Sequence, residues 1–412
     1  MIAECPQTPS KRLSDTGPEG PARSVGSLLV FSDDWGRHPS SCQHLVRNLL
    51  DRYPVLWVNT IGTRAPRLDM QTFRRVTEKM WQWGSRKSKV SETLDSSVNV
   101  RHPNLSVINP KMWPWFGSSR DRRLNRWLLS RKLAPLIAKL PQPVVGLTTL
   151  PITADLPDAL AVHRWIYYCV DDFSQWPGLD GQTLRRMDVA MIRRADSLVA
   201  VSETLQTMIA NEGRSATLLT HGVDVEFWSS AEIRVQPVAP DITDVERRIV
   251  FWGVIDRRMD SPTLLRLSRD FPDAKIVLVG PQQDPDPAIL SLPNIKTLPA
   301  QPLAALPGIA YDADVLIMPY ADLPVTRAMQ PLKLKEYLAT GRPVVVNRLP
   351  STDAWDDCLD VAHTPEQFSQ LVRDRMTSGL PSSQISARSR LRQESWTSKA
   401  DALEFILKGD LT

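Results

Sequence analysis

Residues 331–346, PLKLKEYLATGRPVVV, read as a helix closed by a glycine and followed at once by a short β-branched strand. Proline suits the first helical position, where its missing N–H would be unpaired anyway, and Gly341 suits the left-handed cap. The pattern predicts a helix over 331–340, about ten residues. Leu334, Tyr337 and Leu338 form an i, i+3, i+4 stripe that must face a core, while Lys333 and Glu336 share another face. As a solvated i, i+3 pair, Lys333 and Glu336 would contribute only about 0.2–0.5 kcal/mol. They have a second use. Helical side chains lean toward the N-terminus, where unpaired N–H groups and the positive dipole pole favour an anion such as a diphosphate. A ligand carrying both a diphosphate and a ribose diol, as a sugar nucleotide does, would use that end and the Glu336 carboxylate together.

Upstream of this stretch the same rhythm repeats. IVFWG (249–253), KIVLVG (275–280), residues 294–298 and DVLIMPY (314–320) read as strands separated by helical patterns at 261–269 and 303–311. The N-terminal half runs likewise. SLLVFS (27–32), residues 55–59, QPVVGLT (142–148), RWIYYCV (164–170), the start of ADSLVAVSETL (195–205) and TLLTHGV (217–223) read as strands. Ser202 is the expected cap of the helix after the fifth of these. Strands alternating with helices predict parallel sheets, so the fold class is α/β, with two doubly wound Rossmann-like domains facing each other across a cleft. A chain of 412 residues is too long for one ordinary core. The expected division is a disordered tail over 1–24, an N-terminal domain over 25–226, a linker over 227–247, a C-terminal domain over 248–385, and a final helix within 386–412 packing back on the N-terminal domain.

Ligands of such sheets gather at the carboxyl ends of the strands. The loop SDDWGRHPSS after the first strand places Asp34, Trp35, Gly36, His38 and Ser41 there, and these are the candidate acceptor-side residues. It contains no GxGxxG, which argues against a dinucleotide-binding dehydrogenase. A solvated turn with a serine cap accounts for Ser40 and Ser41 but not for two aspartates beside Trp35 and His38. Asp171 and Asp172 end another strand and are candidate catalytic groups, or else helix caps. His221, beside Gly222 at a strand end, is a third candidate, although a lone histidine is usually structural.

Charge and cysteine content narrow the class. The net charge of +4 is too small to argue for nucleic acid. The four cysteines form no CxxC pair, so no metal site or disulfide framework is expected, and a reducing cytoplasm fits best. No apolar run is long enough to span a bilayer. Two stretches, 64–89 and 111–132, mix arginine and lysine with tryptophan, phenylalanine and methionine, a combination suited to an anionic membrane surface. RNA binding and an ordinary solvated face are the alternatives.

FWGVIDRRMD (251–260), KIVLVGP (275–281), LPNIKTL (292–298), ADVLIMPY (313–320) and PLKLKEYLATGRPVV (331–345) together resemble the nucleotide-sugar domain of GT-B glycosyltransferases, in particular the family-4 group. ADSLVAVSETL (195–205) and HGVD (221–224) resemble the strand–helix and domain-crossing segments of the same group, and YCVDDFSQW (168–176) and SDDWGRHPSS (32–41) resemble its teichuronic-acid-type subgroup. The likeness runs in consistent order over most of 27–365. It implies a transferase that moves a sugar from a nucleotide-diphosphate donor to a polysaccharide or lipid-linked glycan acceptor, expected from the cysteines to be cytoplasmic and from the two basic–aromatic stretches to be peripheral on the membrane. Retention of configuration is implied, with no metal or other cofactor. Gly253, Arg257, Arg258, Pro331, Leu332, Lys333 and Glu336 would bind the donor, with Glu336 on the ribose and Arg257 also catalytic. Two positions depart from the family. Ala328 stands where a glutamate is common, and Asp260 stands where a phosphate-binding lysine is expected, so that Arg257 or Arg258, Lys333 and Arg327 would neutralise the phosphates. A sugar-nucleotide 2-epimerase, or a degenerate transferase acting as a membrane scaffold, are the other readings of the same scaffold.

Overall fold

The structure is a computed structural model and describes residues 24–36, 40–60, 102–230 and 247–409. Its N-terminal half comprises β1 (Ser27–Ser32), α1 (Ser41–Arg47), β2 (Val55–Asn59), β3 (Leu105–Ile108), α2 (Ser119–Ile137), β4 (Val144–Thr148), β5 (Arg164–Cys169), α3 (Gly181–Arg194), β6 (Ser197–Ala200), α4 (Glu203–Ala210) and β7 (Thr217–Leu218). The strands form one parallel sheet in the order β3-β2-β1-β4-β5-β6-β7. Every residue of β1 and β4 is buried, because helices cover both faces, and this is why these strands read as unbroken apolar runs. The strand order reverses between β1 and β4, and there the chain ends of the two strands meet through a hydrogen bond between the Ser32 and Thr149 hydroxyls at 2.8 Å.

The second half contains α5 (Val225–Ser229), β8 (Arg248–Trp252), β9 (Ile255–Asp256), α6 (Ser261–Asp270), β10 (Lys275–Val279), β11 (Gln282–Gln283), α7 (Pro287–Leu290), β12 (Ile295–Leu298), α8 (Leu306–Tyr311), β13 (Val315–Met318), α9 (Pro324–Ala328), α10 (Leu332–Ala339), β14 (Val344–Asn347), α11 (Pro350–Asp353), β15 (Asp360–Ala362), α12 (Pro365–Ser378), α13 (Ser382–Ala387) and α14 (Trp396–Lys408). Its sheet is parallel in the order β12-β10-β8-β13-β14-β15, reversing between β8 and β13. The lone pair β9 and β11 continues the ends of β8 and β10.

The chain crosses between domains twice, and the crossings touch. The Val223 amide donates to the Glu394 carbonyl at 2.8 Å, and Val223 bridges Ser395 in parallel. Beyond the second crossing, α14 returns to the N-terminal domain, where Ala400, Leu403, Ile406 and Leu407 join the same buried cluster as β1 and α1. Arg52 pairs with Asp401 at 2.6 Å, and the Tyr53 hydroxyl donates to Glu404 at 2.6 Å.

Several boundaries differ from those read in the sequence. Val223 and Trp228 belong to the C-terminal core, Trp228 stacking on Trp252 at 5.5 Å, so that domain begins at the first crossing and residues 227 and 228 are no linker. Residues 231–246 lie outside the described residues, as do the basic stretch 64–89 and the tail 1–23. Pro331 is the residue preceding α10 rather than its first, and the helix is eight residues long. The half-exposed edge strand β3 and the three-residue β15 had no apolar run to announce them. Among the described residues no helix is long and apolar enough to cross a membrane.

Candidate functional site

The donor-side candidates converge where β8 and β13 diverge. Gly253, just past β8, has φ +141° and Gly280, just past β10, has φ +149°, conformations that side chains rarely adopt. A Cβ on Gly280 would lie 1.9 Å from the Gly253 carbonyl oxygen, and one on Gly253 would lie 1.9 Å from Lys333 Nζ. Glycine at both positions therefore lets the strand ends approach and leaves space for the Lys333 ammonium. That ammonium donates to the Tyr320 hydroxyl at 2.5 Å and lies 4.3 Å from the Phe251 ring centroid and 4.8 Å from that of Tyr320. No carboxylate among the described residues lies within ion-pair distance of it.

Glu336 sits one turn further along α10 and is partly buried rather than on a solvated face. Its Oε2 accepts from the Trp252 indole N–H at 3.3 Å. Burial pushes its carboxyl up to about 7, against the opposing influence of that indole and of Lys333. Trp252 is itself fixed, stacked on Trp228 and edge-on to Tyr337 at 4.1 Å, with its backbone N–H donating to the Tyr337 hydroxyl at 2.9 Å. The stripe Leu334, Tyr337 and Leu338 is fully buried. Leu332 is half-buried in the first turn, behind Pro331.

The structure separates the arginines. Arg257 is exposed and turned to Asp284 on the loop after β11, with contacts of 3.1–3.4 Å, so it does not join the Lys333 cluster. Arg327 is likewise in an exposed pair, with Asp322. Arg258 is buried, is bound to both oxygens of Asp256 at 3.0 Å, and lies 4.4 Å from the Trp176 ring centroid across the domain boundary. Its charge is already matched by Asp256, which leaves Lys333, among the described donor-side candidates, as the cation without a carboxylate. Asp260 takes a structural part, accepting from Thr263 at 2.7 Å and from Asn347 at 2.9 Å.

The two aspartates after β5 have different surroundings. Asp172 accepts from the Ser174 amide at 3.0 Å and from its hydroxyl at 2.5 Å, capping a turn of 3-10 helix over Phe173–Gln175. Capping of α3 falls to Asp180 instead. Asp171 is half-buried, and desolvation raises its carboxyl to about 7, with the Arg258 charge opposing and Asp33 reinforcing the shift. The acceptor-side loop is held from below by Gln43, which accepts from the Gly36 amide at 3.0 Å and donates to the Asp34 carbonyl at 3.3 Å. Trp35 packs edge-on against Trp57 at 4.7 Å and donates its amide to Asn59. Ser40 is the cap of α1 and Ser41 its first, buried residue, while His38 lies outside the described residues.

His221 is not placed for acid–base work. It is buried in the first crossing, 6.5 Å from the Trp396 ring, and its Nδ1 has no hydrogen-bond partner among the described residues. Burial and the nearby Lys335 charge lower its pKa to about 3, so it stays neutral. Lys335, which the sequence reading passed over, is buried between the crossings. Its ammonium donates to the His221 carbonyl, to Thr220 Oγ1 at 3.2 Å and to Glu394. Tyr320 and Gln43 were also missed. Tyr320 gave one signal, a polar aromatic at the end of an apolar strand; the other two owe their roles to partners distant in sequence.

The fold and the cleft define the GT-B architecture of two Rossmann-like domains, and solved structures agree. The chain is similar to Anabaena Alr3699/HepE in complex with UDP and glucose, at 12% identity and a TM-score of 0.64 over 93% of this chain and 99% of that one. It is similar to sucrose-phosphate synthase of Thermosynechococcus elongatus at 13% identity and a TM-score of 0.67, over 93% and 98%. In sequence it is 32% identical over 184 residues to the Bacillus subtilis (strain 168) protein named "Putative teichuronic acid biosynthesis glycosyltransferase TuaH", a match spanning 42% of this chain and 45% of that protein. No family model matches the chain.

Proposed function

We propose that the chain is a glycosyltransferase that takes a sugar from a nucleoside diphosphate, with UDP as the nucleotide, and passes it to a glycan acceptor. The observation that carries this reading is the Lys333 ammonium, held without a carboxylate partner at the switch point between β8 and β13, one helical turn from the Glu336 carboxylate. Lys333 would meet the diphosphate and Glu336 the ribose diol. The UDP, glucose and UDP-glucose complexes of HepE support the choice of donor. The B. subtilis relative supports an acceptor belonging to a cell-surface polysaccharide.

In the reaction the bond from the anomeric carbon to the diphosphate oxygen breaks and its electron pair stays on the phosphate. The acceptor hydroxyl oxygen bonds that carbon and gives its proton to Asp171. Charge developing on the leaving group is stabilised by Lys333 and the start of α10, which is electrostatic catalysis by groups fixed beforehand. Retention of configuration rests on the resemblance to family-4 enzymes. A lipid-linked acceptor would be met at a membrane, and the exposed face of α2 supports docking there: Arg120, Leu124, Trp127 and Arg131 follow one another at steps of four, three and four residues.

Incubation with a panel of radiolabelled sugar nucleotides tests the reading. Release of nucleoside diphosphate with sugar on acceptor or water is expected for a UDP-sugar. An isomerised donor would instead indicate an epimerase, and binding without turnover a scaffold.

A further inference from the structure

Resting on the nucleotide-sugar reading of this site, we propose that Tyr320 is a donor ligand of the terminal phosphate, its phenol O–H donating to the leaving diphosphate. Tyr320 follows β13 at the point where the strand order reverses. It is only 2% exposed, and three neighbours fix it. Its ring stands edge-on to Phe251 at 5.9 Å, its backbone bridges Met259, and its carbonyl accepts from Asn347 at 3.1 Å.

The proton count at its hydroxyl is the crux. An ammonium has donors only, so in the 2.5 Å contact Lys333 donates and Tyr320 Oη accepts. The phenol's single proton must then point elsewhere, and no acceptor for it occurs among the described residues. Lys333 has further N–H donors in the same position, facing two aromatic rings that cannot accept conventional hydrogen bonds. A buried donor without an acceptor is costly, and here the buried phenol O–H sits with the spare donors of half-buried Lys333 beside a glycine-lined strand end. An anion with several oxygens satisfies them all at once.

The position also selects the phosphate. Glu336 lies on the Trp252 side of Lys333, whereas Tyr320 lies on the side of Arg258, whose guanidinium is 5.7 Å from the Tyr320 ring and stacks on Trp176 of the opposite domain. With the ribose at Glu336, the phosphate nearer the opposite domain, and therefore nearer the acceptor, is the terminal one. Tyr320 thus touches the group whose oxygen departs with the electron pair.

Calorimetric titration of wild type and Tyr320→Phe with UDP, UMP and inorganic pyrophosphate decides the matter, since phenylalanine keeps the ring and loses only the hydroxyl. We expect Tyr320→Phe to weaken UDP and pyrophosphate by about 10- to 100-fold, as for loss of a hydrogen bond to a charged group, and UMP by less than twofold. Equal weakening of UDP and UMP would mean a structural role and overturn the proposal. So would unchanged UDP affinity in the variant, although the nucleotide-sugar reading would survive that result. Wild type binding none of the three would overturn both. Pyrophosphate binding that depends on Tyr320, with no sugar transferred from any donor, would keep Tyr320 as a diphosphate ligand but overturn its part in sugar transfer together with the reading it rests on.

Discussion

At the scale of single residues the proposed site holds two half-buried carboxyls, Asp171 and Glu336, each with its pKa raised to about 7. Glu336→Gln keeps an oxygen for the Trp252 indole but removes the charge-assisted acceptor for a ribose diol. UDP affinity by calorimetry should fall by roughly 10- to 100-fold, about 1.5–3 kcal/mol, with the melting temperature preserved. An unchanged affinity would return Glu336 to a packing role. For Asp171 the sign with pH can be worked out. Its carboxyl rises from 3.8 unfolded to about 7 folded, so the native state binds the extra proton between those values. Stability from this group is therefore present at low pH and lost as pH rises toward 7, at up to about 1.4 kcal/mol per pH unit. Asp171→Asn should flatten that slope and melt no lower than wild type at pH 8, while turnover drops by about 10²–10⁴-fold. An equal loss of melting temperature at pH 5 and pH 8 would mark Asp171 as a structural partner of Arg258 instead. The sequence made Lys333, Glu336 and Asp171 visible, because each stands at a strand end or on the polar face of a short helix. It could not separate Arg257 from Arg258, adjacent residues whose fates depend on Asp284 and Asp256. Nor could it show that the Asp172 carboxylate is engaged by a serine two residues on.

Among the elements, the buried parallel strands were the most legible, since two covered faces demand the unbroken apolar runs of SLLVFS and KIVLV. Edge strands carry no such demand, and β3, with LSVI half in solvent, left no trace in the apolar pattern. Helix α2 lies between these cases. Its start is fixed by a capping box in which Ser118 and Asp121 bond reciprocally, and Asn125, Leu129, Leu133 and Ile137 form its buried seam. Its other face exposes Trp127 at 54% and Leu124 at 39%, among Arg120, Arg123 and Arg131, with the Arg131 guanidinium 5.4 Å from the Trp127 ring. Tryptophan at headgroup depth with arginine on anionic headgroups suits this mixture. We expect co-sedimentation with phosphatidylglycerol-containing vesicles but not with neutral ones, reversed by high salt, because the Debye length is already about 10 Å at 0.1 M. Replacing Arg120, Arg123 and Arg131 with Ser should abolish it, and Trp127→Ser should weaken it. Equal binding to neutral vesicles would show that charge on this face is not what attracts the protein.

At the scale of the whole molecule, the crossings and a seam at the cleft mouth both join the domains. At the crossings, buried Lys335 ties α10 to both connecting strands through His221, Thr220 and Glu394. Across the cleft mouth, α9 grips α4: the Ser202 hydroxyl, which caps α4, donates to the Ala328 carbonyl at 2.6 Å, and Thr204 donates to the Arg327 carbonyl at 3.1 Å. Ala328 is 4% exposed and packs in the hydrophobic cluster of the N-terminal domain, not in its own. This gives a physical reason for alanine at the position where the family-4 resemblance leads one to expect a glutamate. A carboxylate at that position would have to enter the apolar seam between domains or break it, and an unpaired buried charge costs several kcal/mol. Ala328→Glu should therefore open the domains without unfolding either one. Small-angle scattering should show a larger radius of gyration at unchanged circular dichroism, and transfer activity should fall because the Arg258 to Trp176 contact and Asp171 are carried apart from the donor side. If the variant instead scatters like wild type and turns over faster, the carboxylate has reached the cleft, and the seam at Ala328 is not what sets the closed arrangement.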